Sequence, residues 1–76
     1  MIKTIQLEVF TTAFQIEMNQ SDFVIVYSRD TENNYYKKIC LWNHFEQQLQ
    51  EIKDFKTPAV IHGKIIGWSK IPYFFE

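Results

Sequence analysis

The chain has 76 residues and a formal net charge of −1, from nine acidic and eight basic side chains. A chain of this length builds one domain at most, so we expect residues 1–76 to form a single compact domain. The charge balance argues against duplex DNA as the main partner, because binding to phosphates requires a basic excess or a basic face.

The cysteine content and the apolar pattern indicate the compartment. Cys40 is the single cysteine and cannot form an internal disulfide, whereas small secreted domains usually contain several. The N-terminal residues alternate apolar with polar side chains, which is not the pattern of a signal peptide. No run approaches the roughly 18 apolar residues of a membrane helix. We therefore expect a cytoplasmic protein without a membrane partner.

The first third of the chain predicts three strands. Apolar and polar residues alternate over residues 5–9 and again, on the opposite parity, over residues 14–18. This pattern predicts a hairpin that turns near residues 11–13, with a single bent strand as the alternative. Residues 23–27 are apolar without a break, which is typical of a central strand covered on both faces.

The middle of the chain predicts one long helix over residues 33–55. Apolar side chains recur there at intervals of three or four and would lie along one side of an α-helix. These side chains are Tyr35, Ile39, Trp42, Phe45, Leu49, Ile52 and Phe55. Pro58 disfavours helical conformation in the residue before it and ends the segment.

A second interpretation makes Tyr35 to Trp42 a strand that forms a hairpin with residues 23–27, because the segment is rich in β-forming residues. A short helix would then begin at Asn43, with Glu46 completing a capping box. Lys38 favours this interpretation, since it lies within the apolar side of the long helix. Residues 35–42 show no alternation of polar and apolar side chains, however, so the long helix is our prediction.

The predicted fold class is α+β. Residues 59–61 and 64–66 predict a further hairpin, with Gly63 at the positive φ of its turn. The whole is a small mixed or mostly antiparallel sheet of about five strands, in the order β-β-β-α-β-β, with one long helix packed on one face. One helix covers one face of such a sheet, so we expect the other face to be wet or occupied by a partner.

Two segments resemble the glutaredoxins. One is the strand that ends near Ser28 and leads towards the predicted helix; the other combines Thr57-Pro58 with the glycine-bounded segment 63–67. Glu32 to Tyr35 lie where that family has its Cys-x-x-Cys pair, so the resemblance implies a reduced, redox-dead module. It also implies a cis peptide bond before Pro58.

The chain offers no catalytic constellation. Cys40 and His44 are four residues apart and His62 is distant, which is too few ligands for a zinc site. No serine lies in a strand–turn–helix nucleophile elbow, and two glycines in the whole chain leave no phosphate-binding loop. We therefore predict a protein that is not an enzyme and that uses no metal and no cofactor.

Two sets of residues are candidates for binding. The predicted partner-binding residues are four aromatics near the end of the chain: Trp68, Tyr73, Phe74 and Phe75. Aromatic side chains at such a position either close the core or dock a partner. An alternative set, for single-stranded nucleic acid, is Tyr36, Lys37 and Lys38, which combines a ring for base stacking with cations for the backbone.

These features predict a small non-catalytic module that binds another protein. The size of the chain and its abundance of residues with A/T-rich codons are typical of phage or mobile-element inhibitors that bind and occlude a host protein. The alternatives are a single-stranded nucleic-acid-binding protein and the redox-dead glutaredoxin-like module. A homodimer through the uncovered face of the sheet is compatible with all three.

Overall fold

A computed structural model describes residues 7–71 of the chain. Within this range lie one short helix and four strands: α1 (Phe14–Glu17), β1 (Asp22–Arg29), β2 (Tyr35–Asn43), β3 (Gln48–Gln50) and β4 (Lys64–Lys70). The strands form one sheet in the order β3-β2-β1-β4, and each neighbouring pair is antiparallel. The predicted α+β fold class, with one long helix packed on a sheet of about five strands, is therefore wrong.

The segment predicted as a long helix forms β2, a turn and β3. Residues 35–42 consist of four pairs: two tyrosines, two lysines, Ile39-Cys40 and Leu41-Trp42. Successive side chains of a strand point to opposite faces, so each face of β2 receives one member of every pair. Both faces then carry the same order of aromatic, basic and apolar side chains. For this reason the alternation that marks a strand is absent from the sequence.

Asn43 begins a turn and not a helix. Its Oδ1 accepts hydrogen bonds from the backbone N–H groups of Phe45 and Glu46, at 3.0 and 3.1 Å. The chain then enters β3, which pairs with the end of β2. Phe45 in this turn is 95% exposed, so its helical spacing from Trp42 does not reflect burial.

β1 is the central strand, as residues 23–27 predict, and it pairs with β2 on one side and β4 on the other. A tight turn connects β1 to β2. In this turn Asp30 Oδ1 accepts hydrogen bonds from the N–H groups of Glu32 and Asn34, each at 2.9 Å, and Asn33 has a φ of +64°. An aspartate side chain that bonds to the backbone just ahead of it is a common means of fixing a turn.

The predicted N-terminal hairpin is absent from the described residues. Phe10 forms an isolated bridge with Trp68, in which the two N–O distances are 2.7 and 3.0 Å. Residues predicted as the second strand instead contain α1, a single turn of helix. Residues 5 and 6 of the first predicted strand lie outside the described range.

The last predicted hairpin is half correct. Gly63 has the predicted positive φ, at +76°, directly before β4. Residues 59–61 do not pair with β4, however, since Pro58 forms a bridge with Gln50 and Ala59 donates its N–H to Leu49 at 2.9 Å. The segment after β3 therefore returns along the outer edge of β3 before the chain reaches β4.

One face of the sheet carries the core, and we call it the covered face. Val24 of β1 and its cross-strand partner Cys40 are fully buried there. The ring of Phe14 stacks on both Trp42 and Trp68, at centroid distances of 5.0 and 4.4 Å. Stacked rings at such distances stabilise a core beyond the burial of their apolar area.

The segment that precedes β1 covers this face. Phe10 stacks on Trp68 with a centroid distance of 4.8 Å, and Trp68 Nε1 donates to the carbonyl oxygen of Thr12 at 2.8 Å. Met18 is buried in the same cluster, with Ala59 and Ile61 packed against it. The N-terminal segment and residues 59–61 thus cover the face of the sheet that the predicted long helix was expected to cover.

The glutaredoxin-like alternative is not supported by this fold. The helix that should follow the first matched strand is absent from residues 7–71, where β2 takes its place. No peptide bond in the described part of the chain is cis, including the bond before Pro58.

Candidate binding face

The second face of the sheet, which we call the open face, carries the side chains that alternate with the core residues. Cross-strand partners of an antiparallel sheet lie on the same face, so the register arranges these side chains in rows across the strands. From the β1–β2 turn inward the rows are Tyr35–Arg29–Lys64, Lys37–Tyr27–Gly67, Ile39–Ile25–Ser69 and Leu41–Phe23. Successive rows are about 7 Å apart, because two residues of a strand separate them.

The two rows farther from the turn are apolar. Ile39 is 48% exposed, and its partner Ile25 is half-buried, as are Leu41 and Phe23 in the next row. Phe55, also exposed, extends this strip, since its ring lies 6.1 Å from that of Phe23. A contiguous exposed apolar patch on a small domain commonly marks an interaction surface.

The two rows nearer the turn combine aromatic and basic side chains. Tyr35 is 68% exposed and Tyr27 is half-buried. Every charged side chain that the strands place on the open face is basic, namely Arg29, Lys37 and Lys64. None of the three forms an ion pair with another described residue. The open face is therefore basic at one end and uncharged at the other.

Along part of β4 the N-terminal segment covers the open face. Gly67 and Ser69, at the β4 ends of their rows, are both buried. A Cβ atom added to Gly67 would lie 2.8 Å from Val9 Cγ1, so the N-terminal segment lies against the sheet at this point. Apart from Lys64, the accessible part of the open face is formed by β1 and β2.

Lys38 points to the covered side and is held by an ion pair. Its Nζ lies 2.6 Å from Glu51 Oε1 and donates to the carbonyl oxygen of Val60 at 2.9 Å. Glu51 Oε1 also accepts the N–H of Val60 at 3.0 Å. The hydrogen bond from Lys38, followed by that from Val60, holds the pKa of Glu51 below its ordinary value. These contacts attach the segment after β3 to the middle of β2.

Tyr36 belongs to a second polar cluster, beside the β1–β2 turn. Its hydroxyl donates to Asp30 Oδ2 at 3.0 Å, and its ring stacks on that of His62 with a centroid distance of 5.2 Å. Asn34 Nδ2 donates to the same carboxylate oxygen at 3.1 Å. The backbone hydrogen bond from Asn34 is the main cause that lowers the pKa of Asp30, and the bond to Asp30 raises the pKa of Tyr36. Asp30 thus serves as a turn cap.

The residues considered for metal or thiol chemistry are separated. Cys40 is fully buried, and burial raises the pKa of its thiol, which disfavours the reactive thiolate. His44 Nδ1 lies 3.2 Å from Trp42 Nε1, and His62 stacks on Tyr36. No group of three His, Cys, Asp or Glu side chains among residues 7–71 is arranged to hold a metal ion.

The predicted partner-binding residues are divided by the structure. Trp68 is 1% exposed and belongs to the core of the covered face. A substitution at Trp68 would therefore report on folding and not on a surface. Tyr73, Phe74 and Phe75 lie outside the described residues, and their role stays a prediction.

The alternative nucleic-acid set is divided as well. Lys37 lies on the open face, whereas Tyr36 and Lys38 point to the other side. Lys38 is bound to Glu51, and the hydroxyl of Tyr36 is bound to Asp30. Of the two lysines, Lys37 is exposed and forms no ion pair with a described residue.

Apart from Lys37, the sequence prediction missed the residues that form the open face. Ile25 was assigned to a fully covered strand, and Tyr35 and Ile39 to the buried side of a helix. One signal for them was present: in a strand, the paired pattern of residues 35–42 gives both faces the same composition, so a face that is not packed in the core exposes aromatic and apolar side chains.

Comparison with protein-family models, with characterised proteins and with solved structures finds no match to this chain. Within residues 7–71 there is no helix of sufficient length and apolar character to span a membrane.

Proposed function

We propose that this chain is a small non-catalytic module that binds another protein through the open face. One observation carries the proposal: the sheet is packed on one side, and its other side presents the apolar rows of Ile25, Ile39, Leu41 and Phe23 next to a basic row. Apolar area of this kind is stabilised by removal from water, at about 25 cal/mol per Å² before the costs of association.

The partner is a protein with an apolar contact surface that has acidic groups along one side. This follows from charge complementarity, because Arg29, Lys37 and Lys64 are grouped at one end of the open face and no acidic side chain of the strands accompanies them there. Complementary charge at the rim of an interface fixes orientation and accelerates association. We propose that it binds by occlusion and acts in the cytoplasm; the free thiol of Cys40 supports the compartment alone.

The test compares two isoleucine variants in affinity capture from the source cell. Ile39→Asp places a charge in the apolar rows, while Ile16→Asp makes the same change at a 70% exposed residue of α1. We expect wild type and Ile16→Asp to retain the same stoichiometric partner and Ile39→Asp to lose it. Circular dichroism tests whether both variants are folded. If Ile39→Asp is unfolded, Ile39→Thr replaces it, because threonine keeps a β-branched residue in the strand.

Three outcomes would contradict the proposal. Equal capture by wild type and Ile39→Asp would show that the open face is not the contact surface. Sedimentation that finds a wild-type dimer and an Ile39→Asp monomer would assign the face to a second copy of this chain. Capture of nucleic acid that survives protease treatment would assign it to the alternative class.

A further inference from the structure

A groove at the basic end of the open face has the features of a built binding site. It has a volume of about 440 Å³, within the range of small-ligand pockets. The side chains and backbone that line it include Val9, Tyr27, Tyr35, Tyr36, Lys37 and Gly67. Aromatic rings thus form much of its wall, with one cation at its rim.

Gly67 and Val9 form the β4 side of the groove. In the row Lys37–Tyr27–Gly67 the third position has no side chain, and Val9 lies directly over it, since a Cβ atom on Gly67 would be 2.8 Å from Val9 Cγ1. A register shift between Tyr27 and Ser28 places Ile66 out of the regular ladder, where it also lines the groove. A glycine beside a bulge at a strand often marks a close approach by another group.

The electrostatics of the groove favour an anion. Lys37 is exposed and has no ion-pair partner in the described part of the chain, and Arg29 and Lys64 lie in the next row. The nearby carboxylate of Asp30 is occupied, since it accepts hydrogen bonds from two backbone N–H groups, Asn34 Nδ2 and the Tyr36 hydroxyl. Asp30 is therefore not available to pair with Lys37, and a carboxylate of a bound ligand can take that place.

We infer that this groove takes an aromatic side chain of an acidic peptide segment of the partner, with a neighbouring carboxylate paired to Lys37. The inference rests on the proposed function and names the contact that anchors the partner. The rings of Tyr27 and Tyr35 can stack on the aromatic side chain of the peptide, and the ammonium group of Lys37 fixes the direction in which the peptide lies. The segment continues from the groove along the uncharged rows of Ile39 and Ile25.

A peptide accounts for the open face better than a nucleic-acid strand does. A single strand carries a phosphate on every nucleotide and requires cations along its whole path. Here the three cations are confined to the two rows nearest the β1–β2 turn, and the remaining rows are aliphatic or aromatic. A peptide with an acidic aromatic end and an apolar continuation matches that division.

The test is a titration of the ¹⁵N-labelled protein with the peptide acetyl-Asp-Phe-Asp-amide, followed by NMR. The chain has two glycines, so the spectrum contains two glycine amide signals: Gly67 in the groove and Gly63 in the turn before β4. We expect a saturable shift of the Gly67 signal that clearly exceeds the shift of the Gly63 signal. The peptide acetyl-Asn-Phe-Asn-amide, which has no carboxylate, should bind more weakly.

Two variants with the same charge change test the role of Lys37. Lys37→Glu reverses the cation at the rim, and Lys56→Glu reverses an exposed lysine in the turn after β3. We expect roughly three- to tenfold weaker binding of the acidic peptide to Lys37→Glu, and no change for Lys56→Glu.

The inference is overturned if the Gly67 signal does not move up to the solubility limit of the peptide, or if both peptides bind equally well. Tighter binding of a short oligothymidylate than of the acidic peptide would overturn it in favour of nucleic acid. Normal capture of the protein partner by Lys37→Glu, combined with loss of capture by Ile39→Asp, would overturn the groove assignment while the proposed function stands.

Discussion

Lys38 is the residue at which the two interpretations of the sequence differ most. In a long helix it would interrupt an apolar stripe at a cost, whereas in β2 its ammonium group reaches Glu51 and the carbonyl of Val60. Glu51 in turn accepts the N–H of Val60. Lys38 thus favoured the interpretation of residues 35–42 as a strand. The sequence does not identify Glu51 as its ion-pair partner.

Replacement of Glu51 by glutamine should reduce the loss of stability in acid. The pKa of Glu51 is lower in the folded protein than its ordinary value of 4.5, so this carboxylate stabilises the fold above pH 4.5. That contribution is lost as the pH falls through the lower folded value. Urea unfolding between pH 7 and pH 3 should therefore show a smaller fall in the free energy of unfolding for Glu51→Gln than for wild type.

Glu46→Gln is the matched control, because Glu46 is exposed in the turn between β2 and β3. Its pH profile should follow that of wild type. Some acid sensitivity remains in Glu51→Gln, since hydrogen bonds from the Thr57 side chain and from the N–H groups of Lys56 and Thr57 lower the pKa of Asp54 to about 2. Coincident profiles of Glu51→Gln and wild type would contradict the role given to Glu51.

Trp68 should behave as a core residue. Its indole is 1% exposed and stacks on the rings of Phe10 and Phe14. Trp68→Ala should lower the free energy of unfolding by about 3–5 kcal/mol, measured by urea denaturation, which is enough to unfold many domains of this size. Phe45→Ala, at a residue 95% exposed, should change it little. A folded Trp68→Ala protein of wild-type stability would contradict the described core.

At the scale of elements, β4 depends on the conformation of the glycine before it. Gly63 has a φ of +76°, and a Cβ atom added there would overlap the backbone carbonyl of Arg29 and lie 2.8 Å from Asp30 N. Gly63→Ala should lower the free energy of unfolding by about 1–3 kcal/mol or more, because alanine is strained at this φ and its Cβ atom would meet backbone atoms. Thermal unfolding followed by circular dichroism measures the loss.

Gly67→Ala is the comparison for that prediction. Its Cβ atom would meet the side chain of Val9, which is exposed and can move, and the carbonyl oxygen of Phe10 at 3.3 Å. We expect Gly67→Ala to lower the melting temperature less than Gly63→Ala. The reverse order would show that the turn before β4 is less constrained than described.

The sequence predicted those elements whose local chemistry is strong. The unbroken apolar run predicted β1, and Gly63 predicted a positive φ. It gave β2 only as the second interpretation of residues 35–42, because the paired residues of that strand remove the alternation on which strand assignment depends. It did not predict α1, a single helical turn whose Phe14 is placed by the two tryptophans it stacks on.

The candidate site was less predictable than the fold. Which side chains of β1 and β2 share a face follows from the register of their hairpin, which the turn between the strands fixes. That register was not considered while residues 33–55 were assigned to a helix. Trp68 was selected as a surface aromatic because it lies near the chain end, but its bridge to Phe10 places it in the core. Lys37 was selected as a nucleic-acid contact beside Tyr36 and Lys38, and that role stays a prediction. In the structure Lys37 is exposed, and its neighbours on the open face are Tyr35, Tyr27 and Ile39.

At the scale of the whole molecule, the sheet has one packed face and one face that is free for contact. The expectation of a single covered face agrees with the fold, but the cover comes from the N-terminal segment and residues 59–61. The open face is basic beside the β1–β2 turn and apolar towards the other end of the sheet. That division gives the proposed interface a direction, since an acidic group of the partner can pair at one end.

The central claim is that this face, and no other part of the described surface, contacts the protein partner. The most direct measurement is an NMR spectrum of the isoleucine methyl groups before and after the captured partner is added. We expect the signals of Ile25 and Ile39 to shift or broaden, while that of Ile16, on α1 at the covered side, stays unchanged. A change at Ile16 with Ile25 and Ile39 unaffected would contradict the account.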